Sequence, residues 1–457
     1  MAIRRILIAN RGEIAVRIIR TCRKLDIETV LAVSEADRDS LAATQADRTV
    51  CIGPARSSDS YLKADTIVQA ALGTKADAIH PGYGFLSERP ALAQLCEASG
   101  VVFIGPTAVQ IESVADKVRA RAEATSAGVP VAPGATVTCI AEAMAAGREI
   151  GTPLLVKAAS GGGGRGMKRV DRLEELPAAM ELAAVEAQAA FGDARVFLER
   201  YIASARHVEV QVLGDGRGRV NHLGERDCSV QRRYQKLLEE SPAIGLSDDC
   251  RRRLHEAAVR FAGRLSYRGA GTVEFLVDQQ RDSFYFLEMN ARIQVEHPVT
   301  EAVTGFDLIA EQIAIASGAG LSFVQSDVEI KGCAIECRVN AEDPDNHFAP
   351  SPGIAREVSW PSGDGIRVDT HIVAGSRIPP FYDSLLGKVI AHGRDRKSTL
   401  ERLRSAIAAV RIVGVKTNLS FHAMLLADAE FQAGGVDTGF VERLLARGQS
   451  SPRCAHG

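Results

Sequence analysis

The sequence predicts a multidomain protein of the α/β and α+β classes. Its 457 residues are enough for about three domains of ordinary size. Across residues 6–104, short apolar runs alternate with a helical pattern, which favours a parallel sheet covered by helices. Further along, two β-like runs flank a short polar tip, which is typical of a β-hairpin. We therefore expect an N-terminal α/β domain followed by segments built on hairpins.

The composition is that of a soluble globular protein and excludes several classes. With 46% hydrophobic and 25% charged residues, the chain can bury a large core. A net charge of -2 offers no basic field for nucleic acid or an anionic membrane. No apolar run is long enough for a membrane span or a signal peptide. The nine cysteines include no CxxC pair, which indicates reduced thiols in a cytoplasmic protein.

The first segment, residues 1–113, alternates strands and helices. Its predicted strands are Ile6–Ala9, Thr29–Val33, Ala76–His80 and Val101–Ile104. Residues 13–25 have helical periodicity, with Ile14, Ile18 and Leu25 on one side. The turn ANRGE lacks GxGxxG, so a nicotinamide-binding fingerprint is absent. An α/β domain without a ligand role is the alternative for this segment.

The second segment, residues 114–330, carries more strand signals. The predicted helices are Asp116–Ala127 and Asp248–Leu265, and the predicted strands are Leu154–Ala158, Val196–Tyr201, His207–Leu213, Gly271–Val277 and Ser283–Gln294. Turn residues at 214–219 and 278–282 predict hairpins. A third segment, residues 331–446, has several β-like runs and a late helix at Lys397–Val410. We expect the tail at residues 447–457 to fray.

A glycine run interrupts the second segment in KAASGGGGRGM, residues 157–167. Four consecutive glycines cannot pack a core, and they lose much conformational freedom on folding. Such a run is useful where backbone N–H groups must surround phosphate oxygens, and Lys157 precedes it with a positive charge. The run does not match the Walker pattern. It therefore predicts a phosphate-binding loop, with a flexible surface loop as the alternative.

The stretch EMNARIQVE, residues 288–296, alternates polar and apolar residues. One parity holds Glu288, Asn290, Arg292, Gln294 and Glu296. An extended chain would place these five side chains on one face. Across the predicted hairpin, Glu274 would lie near Glu288, and Mg²⁺ prefers such carboxylates together with phosphate oxygens. The pair therefore predicts a metal site. A solvated polar face is the alternative, but it fits poorly beside the apolar run FYFL, which suggests a strand covered on both sides.

Other charged residues extend this pattern. Arg292 could hold a planar anion such as bicarbonate through two hydrogen bonds, and a nearby carboxylate could take its proton. Arg338 lies on a second alternating run, where an ion pair with Glu336 or Glu342 is the alternative to a role in the site. The stretch ERDCSVQRRYQK lacks amphipathicity and predicts a loop. RHVEVQV puts His207 on a strand face with Glu209, but no third zinc ligand has a fitting spacing.

Together these stretches resemble the biotin carboxylases. The resemblance rests on IANRGEIA, HPGYGFLSE, SGGGGRGM, RHVEVQV, GERDCSVQRR, EMNARIQVEHPVTE, ECRVNAEDP and YDSLLGKV, which follow the family's order from residue 3 to about residue 440. It implies an N-terminal α/β domain (1–113), a central ATP-grasp domain (114–330) and a mostly β C-terminal domain (331–446). A lid at about residues 131–203 would close over ATP and exclude water.

The resemblance also implies the site residues. Those implied to bind ATP are Lys117, Lys157, Gly163, Gly164, Glu199, Arg200, Tyr201, Ile202, His207, Tyr234 and Leu276. Those implied to bind two Mg²⁺ or Mn²⁺ ions are Glu274, Glu288 and Asn290. Those implied to hold bicarbonate are Lys236, Arg292 and the Val295 N–H, with Gln294 orienting its neighbours. Glu296 is implied to be the general base, and Arg338 to sit by the biotin ureido oxygen.

The implied reaction is ATP-dependent carboxylation of biotin through carboxyphosphate. The implied partners are a separate biotin carboxyl carrier protein and the carboxyltransferase subunits of an acyl-CoA carboxylase, with a homodimer possible. The chain lacks a Met-Lys-Met attachment motif, which favours a free-standing subunit. Three departures from the family pattern are Tyr234 in RRYQK, Ala291 in EMNAR and a shorter glycine run. The alternatives are another ATP-grasp ligase that joins a carboxylate to an amine, and a nucleotide-binding regulatory protein without turnover.

Overall fold

The structure is a computed structural model that describes residues 2–160 and 166–450. Gly163 and Gly164, with the rest of the glycine run, lie outside the described residues, as does the chain after residue 450. The eight described cysteines are free thiols. Among the described residues, no helix is both long and apolar enough to cross a membrane.

The N-terminal domain contains the parallel sheet that the sequence predicts. Its strands are β1 (Arg5–Ile8), β2 (Glu28–Val33), β3 (Arg48–Cys51), β4 (Ala78–His80) and β5 (Val102–Phe103), in the order β3-β2-β1-β4-β5. Its helices are α1 (Gly12–Lys24), α2 (Leu41–Gln45), α3 (Ala64–Thr74), α4 (Pro90–Ala98) and α5 (Ala108–Ala115). Ile14 and Ile18 are buried, but the prediction for Leu25 is wrong, because α1 ends at Lys24 and Leu25 remains 44% exposed.

Residues 117–200 form a helix followed by a small sheet with its own core. The elements are α6 (Lys117–Ser126), β6 (Gly134–Thr136), α7 (Ile140–Ile150), β7 (Leu154–Ala158), β8 (Lys168–Val170), α8 (Leu176–Phe191) and β9 (Val196–Arg200). The four strands are antiparallel in the order β6-β9-β7-β8. The apolar faces of α7 and α8 pack against them around Leu154, Val156 and Leu198. The four strands and the two helices α7 and α8 therefore share a hydrophobic core of their own.

An eight-stranded antiparallel sheet forms the centre of the molecule. Five of its strands come from the second segment and are β10 (Arg206–Asp215), β11 (Val220–Arg232), β12 (Gln235–Ser241), β13 (Arg268–Asp278) and β14 (Ser283–Asn290). The helices of the same stretch are α9 (Asp248–Arg264), α10 (His297–Thr304) and α11 (Leu308–Ser317). The strand order continues from β14-β13-β10-β11-β12 into three strands of the third segment. The pairing Leu238↔Cys337 joins the two segments, so one sheet carries residues from both.

The third segment completes this sheet and adds short strand pairs. Its strands are β15 (Cys333–Asn340), β16 (Glu342–Asp343), β17 (Ala349–Pro350), β18 (Gly353–Ala355), β19 (Glu357–Ser359), β20 (Ile366–Thr370), β21 (Ser376–Ile378), β22 (Leu385–Gly393) and β23 (Arg411–Val413). Its helices are α12 (Arg396–Ala409), α13 (Leu419–Ala427), α14 (Ala429–Ala433) and α15 (Phe440–Ser450). Single 3₁₀ turns lie at Glu35–Asp37, Ser57–Asp59, Leu173–Glu175, Gln325–Asp327 and Pro344–Asn346.

Two predictions of secondary structure in the site region are wrong, one of a loop and one of the end of a strand. ERDCSVQRRYQK is a hairpin between β11 and β12 rather than a loop, with Arg233 and Tyr234 at positive φ in its two-residue turn. Register shifts between Asp227 and Gln231 break its alternation, so the sequence shows no period-two pattern here. The strand predicted to end at Gln294 ends at Asn290, and residues 291–296 form a loop before α10.

Candidate active site

Two cavities adjoin along the polar face of the central sheet. The larger has a volume of about 750 Å³ and lies where the N-terminal domain, the central sheet and the third segment meet. The smaller, of about 170 Å³, opens between the central sheet and the small sheet of β6–β9. His207, Tyr234, Glu274 and Glu288 line both, so the two cavities share a wall. A ligand in one cavity therefore lies next to a ligand in the other.

The hairpin of β13 and β14 brings two carboxylates together as the sequence predicts. Glu274 lies opposite Glu288 in the register, and a bulge follows because Phe275 pairs with Phe286. The extra residue, Leu287, reverses the parity of the strand. Phe286 therefore faces the core while Glu288 faces the cavities. The interpretation of FYFL as covered on both sides is wrong, because Leu287 lines the smaller cavity.

Each of these carboxylates has a cationic partner. Glu288 Oε2 lies 2.9 Å from Lys117 Nζ. Glu274 Oε1 lies 2.9 Å from Lys236 Nζ, and Glu274 Oε2 lies 2.9 Å from His207 Nε2. Burial alone would raise the pKa of Glu274, but Lys236 and His207 lower it well below the ordinary value. The Glu274 carboxylate is thus held as an anion by positive charge, and a cation also lies beside Glu288. A divalent cation can supply the same positive charge.

The donor set fits a hard divalent cation. Glu274 and Glu288 offer carboxylate oxygens on one face, and Asn290 offers an amide oxygen beside them. The Asn290 amide donates to Glu274 at 2.9 Å, and its oxygen accepts from Arg292 at 3.0 Å. These oxygens match the preference of Mg²⁺ and Mn²⁺ better than that of softer metals.

A third zinc-type ligand does lie near His207 and Glu209. The strand pairing Glu209↔Glu274 brings the Glu274 carboxylate close enough for the three to share one ion. The spacing along the sequence cannot reveal this, because the third residue comes from a neighbouring strand. Lys236 Nζ lies 2.6 Å from Glu209 and 2.9 Å from Glu274, so an ammonium group already neutralises these carboxylates.

The Glu296 carboxylate lies between two cationic side chains. It is fully buried at the residue before α10, with Lys236 Nζ at 2.7 Å and an Arg338 guanidinium nitrogen at 2.8 Å. Burial would raise the pKa of Glu296, but Lys236 and Arg338 lower it well below the ordinary value. Glu296 is therefore ionised at neutral pH and can accept a proton once these cations turn to another anion.

Arg338 pairs with neither of the residues considered from the sequence. Its guanidinium contacts Glu239 at 2.6 Å and Glu296 at 2.8 Å, whereas Glu336 and Glu342 are not its partners. Glu336 lies opposite Glu239 across the strand pair and is fully buried. Neither Glu336 oxygen has a hydrogen-bond partner among the described residues, and burial raises the pKa of this carboxyl well above the ordinary value. The ion-pair alternative for Arg338 is wrong, because its partners come from the neighbouring strand β12 and from the loop before α10.

The carbonyl oxygen of Arg338 is held by a residue of α13 and by Asn418, the residue that precedes α13. His422 Nε2 lies 2.7 Å from the Arg338 carbonyl oxygen, and Asn418 donates to the same oxygen at 2.9 Å. Burial lowers the pKa of His422 to about 4. The imidazole is therefore neutral and acts as a donor at neutral pH.

We expect His422→Gln to weaken the acid sensitivity of folding. The folded imidazole protonates near pH 4 and the unfolded one near 6.5, so the unfolded chain binds more protons between these values. The free energy of unfolding of the parent protein must then fall as pH drops through this window, by up to about 3 kcal/mol from this residue. The variant lacks that contribution, and urea unfolding at pH 7 and 4.5 measures it. His347→Gln, an exposed control, should follow the parent, and equal slopes in all three proteins would contradict the assignment.

Arg292 is fixed by a residue that the sequence did not single out. Glu88 accepts from Arg292 Nε at 2.8 Å and from the Ala291 N–H at 3.0 Å. Arg292 also donates to Gln294 Oε1 at 2.7 Å. Glu88 ends the stretch HPGYGFLSE, but no local spacing connects it with a residue 204 positions away. This contact from the N-terminal domain ends β14 and turns the guanidinium toward the larger cavity.

The smaller cavity collects most of the residues implied to bind a nucleotide. Its wall includes Lys117, Lys157, Tyr201, Ile202, His207, Tyr234, Leu276 and Glu288, together with Gln231, Leu287 and Thr438, which the sequence did not indicate. The Glu199 carboxylate pairs with Lys157 and Arg121 instead of facing this cavity. The Arg200 guanidinium donates to the Ile150 carbonyl at 2.8 Å, so it points toward the end of α7. Tyr234 is 57% exposed at its hairpin tip.

The chain matches three family models in sequence. Residues 2–111 match "Biotin carboxylase, N-terminal domain", residues 116–324 match "Carbamoyl-phosphate synthase L chain, ATP binding domain", and residues 336–443 match "Biotin carboxylase C-terminal domain". These three matches cover most of the chain.

Curated relatives match over nearly the whole chain. "Biotin carboxylase 1" of Bacillus subtilis is 50% identical over 442 residues, which are 96% of this chain and 98% of the relative. A pyruvate carboxylase subunit of Methanothermobacter thermautotrophicus is 46% identical, over 96% of this chain and 89% of the relative.

A solved structure is similar over almost the same length. It is the biotin carboxylase domain dimer of the Hydrogenobacter thermophilus 2-oxoglutarate carboxylase, in complex with ADP, its magnesium salt and bicarbonate. The TM-score is 0.94 with 44% sequence identity, and the match covers 97% of this chain and 98% of that chain.

Proposed function

This chain belongs to the biotin carboxylase family, whose members carboxylate biotin with ATP, and we propose that it does so on a separate carrier protein as the first half-reaction of an acyl-CoA carboxylase. One observation carries the residue roles. A buried, ionised Glu296 lies between Lys236 and Arg338, beside two adjoining cavities that share a wall. That arrangement suits a reaction in which an anion is phosphorylated and then delivered to a second substrate.

We assign the smaller cavity to ATP. Lys117 and Lys157 supply positive charge for its phosphates, while Leu276 and Ile202 supply an apolar surface for the base. The backbone of residues 199–202 can hydrogen-bond the adenine, which agrees with Glu199 and Arg200 directing their side chains elsewhere. Gly163 and Gly164 would cover the phosphates. Tyr234 offers a phenolic hydroxyl at the wall of this cavity.

We assign Glu274, Glu288 and Asn290 to two Mg²⁺ or Mn²⁺ ions that accompany the nucleotide. When bound, these ions would neutralise the charge on the transferring phosphoryl group. Lys117, Lys236 and His207 already balance the same carboxylates, so they can shift toward phosphate oxygens when the metal arrives. The protein thereby keeps the site near electrical balance with and without its ligands.

We assign bicarbonate to the loop of residues 291–296. Arg292 and Lys236 hold its charge, and the Val295 N–H can donate to one oxygen because Val295 lies outside any strand ladder. Gln294 donates weakly to Glu274 and accepts from Arg292, so it orients the guanidinium. An anion that draws Lys236 and Arg338 away from Glu296 raises the basicity of this carboxylate where a proton must be taken.

The proposed reaction then balances without further reagents. Glu296 takes the bicarbonate proton while a bicarbonate oxygen attacks the γ-phosphorus, and the bond to ADP breaks. The resulting carboxyphosphate splits into CO₂ and phosphate within the closed site. Phosphate removes the biotin ureido proton, and the nitrogen attacks CO₂. Arg338 stabilises the negative charge that develops on the ureido oxygen.

The lengths and descriptions of the relatives support the proposed partners. This chain covers 98% of "Biotin carboxylase 1", so that relative has little length left for a carrier or transferase. This supports a separate biotin carboxyl carrier protein and separate carboxyltransferase subunits. A homodimer is the proposed assembly, since the similar Hydrogenobacter domain is described as a dimer. Acyl-CoA as the final acceptor is proposed over pyruvate and 2-oxoglutarate.

The test is ADP release measured with free biotin, with and without bicarbonate. We expect turnover to require both compounds, and turnover that ignores bicarbonate would reject the function. Release that depends on an amine instead of biotin would favour another ATP-grasp ligase. Capture of the biotinylated partner, followed by supply of acetyl-CoA, pyruvate or 2-oxoglutarate, identifies the acceptor, and carboxylation of pyruvate or 2-oxoglutarate alone would overturn the acyl-CoA assignment.

We expect Arg338→Ala to lower biotin-dependent turnover by about 100-fold or more, because it removes the charge that stabilises the ureido oxygenate. Bicarbonate-dependent ATP hydrolysis without biotin should fall less, since Lys236 still faces bicarbonate. The ratio of the two rates measures the role, and circular dichroism checks the fold. Equal losses in both rates would assign Arg338 to the phosphorylation step instead.

A further inference from the structure

The loop that carries the proposed bicarbonate site depends on side chains from other domains. Residues 291–296 belong to neither β14 nor α10, so their backbone groups need partners outside a ladder. The Ala291 N–H donates to Glu88 and the Gln294 carbonyl accepts from the His297 N–H. The Val295 carbonyl accepts from Lys388 Nζ at 2.7 Å. The carbonyl that leads directly into Glu296 is thus held by the third segment.

Lys388 is an unusual donor for a backbone carbonyl. It lies on β22 opposite Arg338, and its side chain is fully buried. Its counterion is Glu13 at 3.1 Å, on α1 of the N-terminal domain, where Tyr83 also donates to the same carboxylate oxygen. Burying an ammonium group is costly unless it is paired and hydrogen-bonded. An apolar pair of similar size would avoid that cost, so stability alone does not explain this lysine.

We propose that Lys388 is a positioning residue for the carboxylation reaction. It fixes the Val295–Glu296 peptide, which connects the residue whose N–H binds bicarbonate to the residue whose carboxylate takes the proton. Its bond to the Val295 carbonyl sets the plane of that peptide, and α10 begins one residue after Glu296. Glu13 keeps the ammonium charged and in place, because its carboxylate contacts Nζ and is itself held by Tyr83. The inference rests on the proposed bicarbonate site.

The contact also couples domain assembly to the chemistry. Glu13 comes from the N-terminal domain, Lys388 from the third segment and Val295 from the loop after the central hairpin. The loop reaches its working shape only when all three parts are docked. Misplacement of a reacting group by about 1 Å can lower a rate on the order of 100-fold.

The first test is Lys388→Met, which keeps the length of the side chain and removes its donor. We expect kcat/KM for bicarbonate to fall about 10- to 100-fold while KM for ATP stays within about twofold. Lys388→Arg, which can still donate to the Val295 carbonyl, should recover most of the loss. An unchanged bicarbonate dependence in folded Lys388→Met would overturn the inference.

A double variant separates positioning from charge balance. Glu13→Gln with Lys388→Met removes both buried charges, so we expect its Tm to return toward that of the parent while kcat/KM for bicarbonate stays low. Recovery of both quantities would reduce Lys388 to a structural ion pair and reject the inference. If Lys388→Met fails to fold, the double variant and Lys388→Arg decide the question.

The matched control is another largely buried ion pair, between Arg396 of the third segment and Glu240 on β12. Arg396 Nε lies 2.7 Å from Glu240 Oε1, and neither residue contacts residues 291–296. Glu240→Gln with Arg396→Met should change Tm without a selective effect on bicarbonate. The parent enzyme's own requirement for bicarbonate is measured in the same assay. If the parent ignores bicarbonate, the proposed function fails, whereas a bicarbonate-dependent parent with indifferent Lys388 variants rejects only the positioning role.

Discussion

Replacing Glu296 with glutamine is expected to lower bicarbonate-dependent ADP release about 100- to 10,000-fold, the usual contribution of a positioned general base. The amide keeps the shape of the side chain but cannot accept a proton. Lys236 and Arg338 hold the pKa of the parent carboxylate well below its ordinary value, so the parent base is fully ionised across the neutral range. Loss of activity therefore cannot be recovered by raising the pH.

Nucleotide binding separates a chemical role for Glu296 from a structural one. Glu296 lies outside the smaller cavity, so Glu296→Gln should bind ADP within a few-fold of the parent in a fluorescence titration. Glu97→Gln, on the exposed surface of α4, is the control and should leave both activity and binding unchanged. A Glu296→Gln rate within a few-fold of the parent would remove the base assignment, whatever its affinity for ADP.

The fold was predictable where local patterns determine it. The helix α1, the strand β7 and the pairing of Glu274 with Glu288 all depend on residues close in the sequence. The polar tip at 278–282 closes the hairpin, and closure fixes which residues lie opposite each other. These expectations are confirmed for that reason.

The end of β14 was not predictable in the same way. Alternation continues through Glu296 although the strand stops at Asn290, because a loop can alternate by chance. What ends the strand is Glu88, which takes the Ala291 N–H that a ladder would otherwise use. The partner lies 203 residues away, and no periodicity carries that information. The same holds for Lys388 and the Val295 carbonyl, which lie 93 residues apart.

The loop predicted in place of the β11–β12 hairpin was wrong for another physical reason. Its strands face protein on both sides, and its bulges shift the register, so neither amphipathicity nor a clean alternation survives. Arg226 illustrates the consequence, since this guanidinium is fully buried and donates to Glu209, Gln211 and Thr300. A run of charged residues looks like a surface loop in the sequence because the sequence does not show which buried partners those residues have.

Lys236→Met is expected to destabilise the folded protein by about 3–5 kcal/mol at pH 8, besides abolishing bicarbonate turnover. Lys236 Nζ contacts three buried carboxylates, those of Glu209, Glu274 and Glu296, at 2.6–2.9 Å. Methionine preserves the packing of the aliphatic chain but leaves these anions without their shared cation. Lys331→Met, at an exposed surface pair, is the control and should change stability little.

The loss of unfolding free energy in Lys236→Met should grow with pH, and its sign follows from the pKa values of the carboxylates that Lys236 contacts. In the parent, the pKa values of Glu274 and Glu296 are lowered, so their stabilisation is present above the unfolded value of 4.5 and is lost as pH falls below it. Without Lys236, burial and mutual repulsion favour protonation in the folded state, which then loses stability as pH rises past 4.5. Urea unfolding at pH 5.5 and 8 should therefore give the larger difference at pH 8. Millimolar Mg²⁺ with ADP should restore part of the lost stability, because a divalent cation at Glu274 replaces the missing charge. An equal loss of stability at both pH values would show that Lys236 contributes packing and not charge.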